Sequence, residues 1–172
     1  MPIVPDTEDW TWVLERPCPD CGFDAREFPR HRVGDMVREN AMRWQEVLTG
    51  PDVEVRRRSD RWSALEYACH VRDVFAVYDE RLQRMLAEDG PHYENWDQDA
   101  TAIEECYGEQ DPANVTGQLL AIGAQLAERF DAVDGEQWSR TGFRSDGAAF
   151  TVETFARYFI HDPVHHLHDV GA

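Results

Sequence analysis

The sequence contains no lysine and no long apolar run, and each of these absences excludes a class of protein. All 17 basic residues are arginine, against 34 acidic residues, which gives a formal net charge of −17. So acidic a surface repels the phosphates of nucleic acids and the anionic headgroups of membranes. We therefore expect neither nucleic acid nor a membrane among the partners of this protein.

The apolar residues are distributed as in a globular protein. No apolar run approaches the roughly 20 residues of a membrane-spanning helix. The first ten residues, MPIVPDTEDW, lack the basic start and the apolar stretch of a signal peptide. The apolar fraction is nevertheless 42% in 172 residues, with six Trp and eight Phe, which is enough for a substantial core. We expect a cytoplasmic protein.

Cysteine is also scarce, with four residues in the chain. In the cytoplasm such residues are thiols or metal ligands more often than disulfides. Cys18 and Cys21 lie in the stretch CPDCGFDA, and Cys-Pro-x-Cys-Gly is a common half of a zinc knuckle, because its turn lets both thiolates reach one ion.

A knuckle needs two further ligands, and the sequence contains no second CxxC. Residues that could complete it are Cys69, Cys106, His31 and His92, none at a persuasive spacing. Three interpretations of Cys18 and Cys21 therefore stay open: a second zinc site, a redox pair, or an inert pair of thiols that covers the rest of the protein.

Four segments carry apolar residues at three- and four-residue steps, which predicts four amphipathic helices. They cover about residues 29–49, 63–89, 111–133 and 151–170. The second begins with SALE, a capping box in which a Ser and a Glu satisfy each other's backbone N–H groups. The third follows Asp-Pro and the fourth follows a Thr, both of which are typical of helix starts.

The remaining segments connect these helices. Residues 93–109 are expected to form a loop and a short helix, and RTGFRSDGAAFT a small hairpin that turns at Asp146-Gly147. The prediction is an all-α fold: an irregular segment with CxxC at residues 1–28, followed by a four-helix bundle at residues 29–172.

Four of the seven histidines lie in HDPVHHLHDV, within the last predicted helix. His161 and His165 have the i, i+4 spacing that directs two imidazoles at one ion. Pro163 lies between them and predicts a kink. A catalytic zinc site usually has three protein ligands, and His70, at the edge of the second helix's apolar stripe, is the preferred third.

Two of these segments resemble a known family. The family is the DinB-like superfamily of metal-binding four-helix bundles. Its second-helix motif resembles RWSALEYACHVRDV, and its last-helix motif resembles FTVETFARYFIHDPVHHLHDV. That superfamily includes mycothiol-dependent maleylpyruvate isomerases and other thiol transferases. The resemblance implies that His70, His161 and His165 bind a divalent ion, zinc first or nickel, with one coordination position open.

The resemblance leaves the activity undecided. A thiol S-transferase with a small thiol cosubstrate such as mycothiol is the first hypothesis. A metal-dependent hydrolase and a non-catalytic metal-binding or stress-response module are the alternatives. Homodimers are frequent in the superfamily, so a homodimer is a further expectation that comes from the resemblance alone.

Overall fold

The structure, a computed structural model, describes residues 3–172. Its helices in chain order are α1 (Val33–Leu48), α2 (Ala64–Ala87), α3 (Gln98–Glu104), α4 (Pro112–Asp131) and α5 (Val152–Asp169). The four long helices pack on one another as a bundle, and α3 is the short helix expected between the second and third of them. The predicted fold class is confirmed. No helix in the described residues is long and apolar enough to cross a membrane.

Helix starts lie where the sequence signals place them, with one exception. Ser63 and Glu66 form the predicted capping box of α2, and the side chains of Asp111 and Thr151 cap α4 and α5. The exception is the first helix: residues 30–32 form a 3-10 turn, and α1 begins at Val33. Pro29 itself is extended, with ψ at 121°, so the α conformation cannot begin there.

The predicted hairpin is present and belongs to a small sheet. β2 (Thr141–Arg144) pairs antiparallel with β3 (Ala149–Thr151), and Gly147 in the turn has φ of 97°, a conformation that glycine adopts without strain. β1 (His92–Tyr93) pairs in parallel with β2. A strand of two residues carries no alternation, so its sequence does not signal it.

Aromatic side chains fill the centre of the bundle. Phe159 of α5 contacts Phe75 of α2 and Phe130 of α4, with ring centroids 5.9 and 5.8 Å apart. Trp44 of α1 is fully buried beside them. This packing fixes the rotation of α5 about its own axis, and therefore fixes which of its polar residues face which neighbour.

The segment before the bundle lies against α5. Within residues 3–32 it consists of extended stretches and three short 3-10 turns, two of which bury Val13 and Ala25 almost completely. All three turns contact α5. The segment therefore covers one side of the helix that carries the histidine cluster.

Loss of the α2 cap gives a test of the fold. Ser63 Oγ accepts from the Glu66 N–H at 3.2 Å, and Glu66 also pairs with Arg56. Ser63→Ala should lower the free energy of unfolding by about 1 kcal/mol in urea titrations. Ser59→Ala is the matched control, since Ser59 is exposed in the neighbouring loop. Equal stability of both variants would contradict the assigned role of the cap.

Candidate metal centres

Helix α5 presents two pairs of candidate metal ligands on adjacent faces. His161 and His165 are four residues apart, and so are Asp162 and His166. Each pair lies along the helix axis, and the second is rotated from the first by about 100°. Because of that rotation, the two pairs meet different parts of the protein.

The structure brings these pairs into two clusters of donor atoms. One consists of His70, Asp162 and His166, and is called the cleft cluster below. The other consists of Cys18, Cys21, His161 and His165, and is called the knuckle cluster. In each, one donor atom per residue lies within 4.8 Å of all the others.

The donor atoms of the cleft cluster are spaced as ligands of one ion would be. Asp162 Oδ1 lies 3.3 Å from His70 Nε2 and 3.8 Å from His166 Nε2. Bonds of about 2.0–2.1 Å at the tetrahedral angle would place neighbouring N and O ligands about 3.4 Å apart. Asp162 Oδ1 is buried and accepts no hydrogen bond within residues 3–172, so a cation would satisfy it.

Neighbouring side chains hold both imidazoles of the cleft cluster. The His70 ring is fully buried and stacks on Trp96, with centroids 5.6 Å apart and planes 9° apart. Trp62 packs on it at 5.3 Å. His166 Nδ1 lies 2.9 Å from Asp169 Oδ2, an arrangement that orients its Nε2 toward Asp162.

Charge inside the cleft cluster favours a cation. Burial opposes the ionisation of Asp162, but His70 and His166 outweigh it and hold the pKa of this carboxyl below its usual range. Burial lowers the pKa of His166, whereas Asp162 and Asp169 raise it, and the result is a pKa above the ordinary value. Two carboxylates around one imidazole create a negative potential that a divalent ion would relieve.

The cleft cluster borders an open cleft of about 490 Å³. Asp162 and His166 line the cleft, and His70 lies behind them. Trp96 and Asp97 line the cleft as well. An ion bound to the cluster would therefore have protein on one side and the cleft on the other.

Tyr158 is the nearest hydroxyl on the same face of α5, since it precedes Asp162 by four residues and also lines the cleft. Its oxygen accepts from Arg144 at 3.2 Å, which leaves its own proton free to donate. Burial raises the pKa of Tyr158. Burial opposes the charge of Arg144, but hydrogen bonds to Asp146 and Tyr158 keep its pKa above the ordinary value.

The knuckle cluster joins the CxxC turn to α5. Cys18 Sγ lies 3.6 Å from His165 Nδ1, and Cys21 Sγ lies 3.7 Å from His161 Nε2. Both cysteines are free thiols. Burial raises the pKa of the Cys21 thiol to about 11 and lowers the pKa of His161 to about 4, so without a cation both groups are neutral at pH 7.

The structure thus separates the three residues predicted as one set. His161 and His165 lie together, as their spacing indicates, but their partners are the two cysteines. His70 lies with Asp162 and His166 instead, and His168 is exposed. Helix α5 is continuous through Pro163.

The sequence analysis did not single out Asp162 and His166 as candidate ligands. Their spacing is the same as that of the predicted pair, and a carboxylate binds zinc as an imidazole does. The i, i+4 rule applied to every ligand type in HDPVHHLHDV would have identified both pairs.

Comparison with known proteins identifies the family. The family model of the DinB superfamily matches residues 33–170. The chain belongs to the DinB superfamily. Among solved structures, this DinB protein is similar to YfiT from Bacillus subtilis, with a TM-score of 0.68, 17% identity, and coverage of 86% of this chain and 85% of that one. At that identity the likeness shows the fold. A search of curated proteins finds no match.

YfiT is described as "a probable metal-dependent hydrolase with an unusual four-helix bundle topology". The match to the superfamily begins at residue 33, so it includes all three residues of the cleft cluster but neither cysteine of the knuckle cluster.

Asp169 gives a test of the cleft cluster's supporting contacts. Asp169→Asn should weaken divalent-metal binding by about 10–100-fold, because the asparagine no longer holds His166 as a carboxylate does. Asp169 also lies 3.7 Å from His165 Nε2, so its substitution would disturb the knuckle cluster as well. The affinity is therefore measured in a chain carrying Cys18→Ser, in which the knuckle cluster lacks one of its four donors. The measurement is a competition with a chromophoric chelator.

Glu54→Gln is the control for this experiment, because it removes the charge of an exposed carboxylate in the loop before α2. An affinity that is the same in both variants would show that Asp169 does not support the ligand.

Proposed function

We propose that this DinB protein is a metal-dependent hydrolase whose ion is held by His70, Asp162 and His166. The observation that carries the proposal is the convergence of these three ligands on one side of an open cleft. Three protein ligands with one position left for water or substrate is the usual arrangement of a catalytic zinc site. Zinc is the proposed ion and nickel the alternative.

A divalent ion at these ligands would lower the pKa of a water molecule to near neutrality and polarise a carbonyl group of the substrate. The protein's own residues prepare that chemistry. The pKa of Asp162 lies below its usual range, so this carboxyl is ionised at neutral pH, and Trp62 and Trp96 both pack on the His70 ring. Asp169 orients His166. These contacts fix the ligands before the ion or the substrate arrives.

Tyr158 is the proposed proton donor to the substrate. It lies one helical turn from Asp162, and Arg144 donates to its oxygen, so its hydroxyl proton is directed away from Arg144. A hydroxyl in that position can donate to the oxygen on which negative charge develops, or to the leaving group. Tyr158 then acts on the substrate, whereas Arg144 positions Tyr158.

The charge of the cleft indicates the class of substrate. Besides Asp162 and Asp146, the acidic side chains that line it are Asp6, Glu8, Asp9, Asp97 and Asp99. The two arginines there are already engaged: Arg144 pairs with Asp146, and Arg81 donates to the carbonyl of Glu94. The cleft therefore favours neutral or cationic esters and amides over anionic ones.

Thiol transfer is the second candidate. A thiolate could occupy the same open position as water, and the cleft of about 490 Å³ is far larger than the ~30 Å³ that one water molecule occupies. A cosubstrate such as mycothiol would therefore have room beside an electrophile. Superfamily membership is compatible with both reactions, whereas the description of YfiT as a probable metal-dependent hydrolase supports hydrolysis.

The reaction is tested with zinc-loaded protein and a panel of esters, amides and electrophiles, each with and without mycothiol. Ester or amide cleavage that does not need the thiol supports hydrolysis, and thiol consumption supports transfer. A chelator should abolish either activity, and added zinc should restore it. If the chelator leaves both activities unchanged, the protein is not a metal-dependent enzyme.

Tyr158→Phe should lower kcat/KM on the order of a hundredfold, because it removes one donor to the developing charge. Metal content should be unchanged, since Tyr158 is not a ligand. Tyr93→Phe is the control, because the Tyr93 hydroxyl is buried and makes no hydrogen bond to the described part of the chain. Unaltered kinetics in Tyr158→Phe would remove this residue from the mechanism.

Asp99→Asn tests the charge preference of the cleft. The Asp6 N–H donates to Asp99 Oδ2, and an amide oxygen can still accept that bond. Loss of the charge should raise kcat/KM for an anionic ester and lower it for a cationic one, each by a few-fold, since one charge pair in water is worth about 1 kcal/mol or less. If the ratio of kcat/KM for the cationic ester to kcat/KM for the anionic ester is the same before and after the substitution, the cleft does not select substrates by charge.

A further inference from the structure

We propose that Cys18, Cys21, His161 and His165 form a closed structural zinc site that fastens the segment before the bundle to α5. This site is separate from the cleft cluster, and it shares no ligand with it. The proposal does not depend on the proposed function.

The donor atoms fit one tetrahedral ion. Zinc bonds of about 2.3 Å to sulfur and about 2.0–2.1 Å to nitrogen place adjacent S and N ligands about 3.6 Å apart. The two observed S–N distances are 3.6 Å (Cys18 to His165) and 3.7 Å (Cys21 to His161). Two thiolates and two imidazoles are a common donor set of structural zinc sites.

The backbone around the cysteines has the form of a knuckle. The Gly22 N–H donates to the Cys18 carbonyl at 2.9 Å, and the Cys18 N–H donates to the Phe23 carbonyl at 2.9 Å. Gly22 has φ of 73°, in the left-handed region. This turn brings Cys21 back toward Cys18, so both sulfur atoms face α5.

The surroundings shield Cys18 and His161 from solvent, while Cys21 and His165 are partly exposed. Cys18 is 1% exposed and His161 is 5% exposed. The indole of Trp10 lies over both imidazoles, with its centroid 5.6 Å from each, and Phe23 packs on His161 at 6.4 Å. With four protein ligands and this cover, the ion has no open position, which is typical of a structural and not a catalytic zinc site.

Each sulfur of the CxxC faces an imidazole nitrogen of α5, Cys18 opposite His165 and Cys21 opposite His161. Zinc binding involves no electron transfer: each thiol loses its proton to solvent, and each imidazole contributes a neutral nitrogen.

The site has a consequence for the cleft. Residues 5–10 line the cleft, and they directly precede the segment that carries the two cysteines. His161 and His165 are the immediate neighbours of Asp162 and His166 on α5. A zinc ion in the knuckle cluster would therefore fix the position of residues 5–10, which line the cleft, relative to α5. That helix supplies Asp162 and His166 to the cleft cluster.

The site is tested on the full chain without a histidine tag. Zinc is counted by mass spectrometry, and Co²⁺ is substituted as a spectroscopic probe. We expect intense sulfur-to-cobalt charge-transfer absorption in the near ultraviolet. Cys18→Ser and Cys21→Ser should lose this absorption and one zinc ion per chain, whereas Cys106→Ser, which removes an exposed thiol, should keep both.

His70→Ala separates this proposal from the proposed function. It should lose the ion of the cleft cluster and keep the sulfur absorption, and Cys18→Ser should show the converse. If the cysteine variants do not fold, alkylation of the unaltered protein supplies the test: zinc should protect the partly exposed Cys21 but not the exposed Cys106. Co²⁺ spectra without sulfur bands, or equal alkylation with and without zinc, would overturn the proposal.

Discussion

The rotation of α5 about its own axis is the constraint on which both clusters depend. Phe159 and Ile160 are fully buried against the bundle, and the buried side chain of Asn40 donates to the Pro163 carbonyl at 2.8 Å. Adjacent residues on a helix point about 100° apart. Once the apolar face is packed, His161 must face the segment before the bundle and Asp162 must face α2.

This geometry allows one short helical stretch to serve two different centres. The pair His161 and His165 meets two thiols under an aromatic cover, whereas Asp162 and His166 meet His70 beside an open cleft. The first cluster, with four donors, is the proposed structural site, and the second, with three donors beside the cleft, is the proposed catalytic one. The difference between them lies in the neighbours supplied by the rest of the chain, because the spacing within α5 is the same in both.

Local signals predicted much of the fold. Ser63, Asp111 and Thr151 mark the starts of α2, α4 and α5, because each places an oxygen near the free N–H groups of a helix end. Gly147 marks the hairpin turn. These signals act over three or four residues, so the sequence alone reveals them. β1 carries no such signal, since two residues of parallel strand are defined only by the partner across the sheet.

For the candidate centres, the sequence by itself determined which residues have ligand chemistry, and that His161 and His165 can share an ion. The resemblance of two motifs to the superfamily also followed from the sequence alone. Only the tertiary structure decided the partners: Cys18 and Cys21 reach His161 and His165 across about 140 residues, and His70 reaches Asp162 across 92. The physical reason is that spacing along a helix fixes which side chains share a face, whereas the packing of the whole core fixes what that face meets.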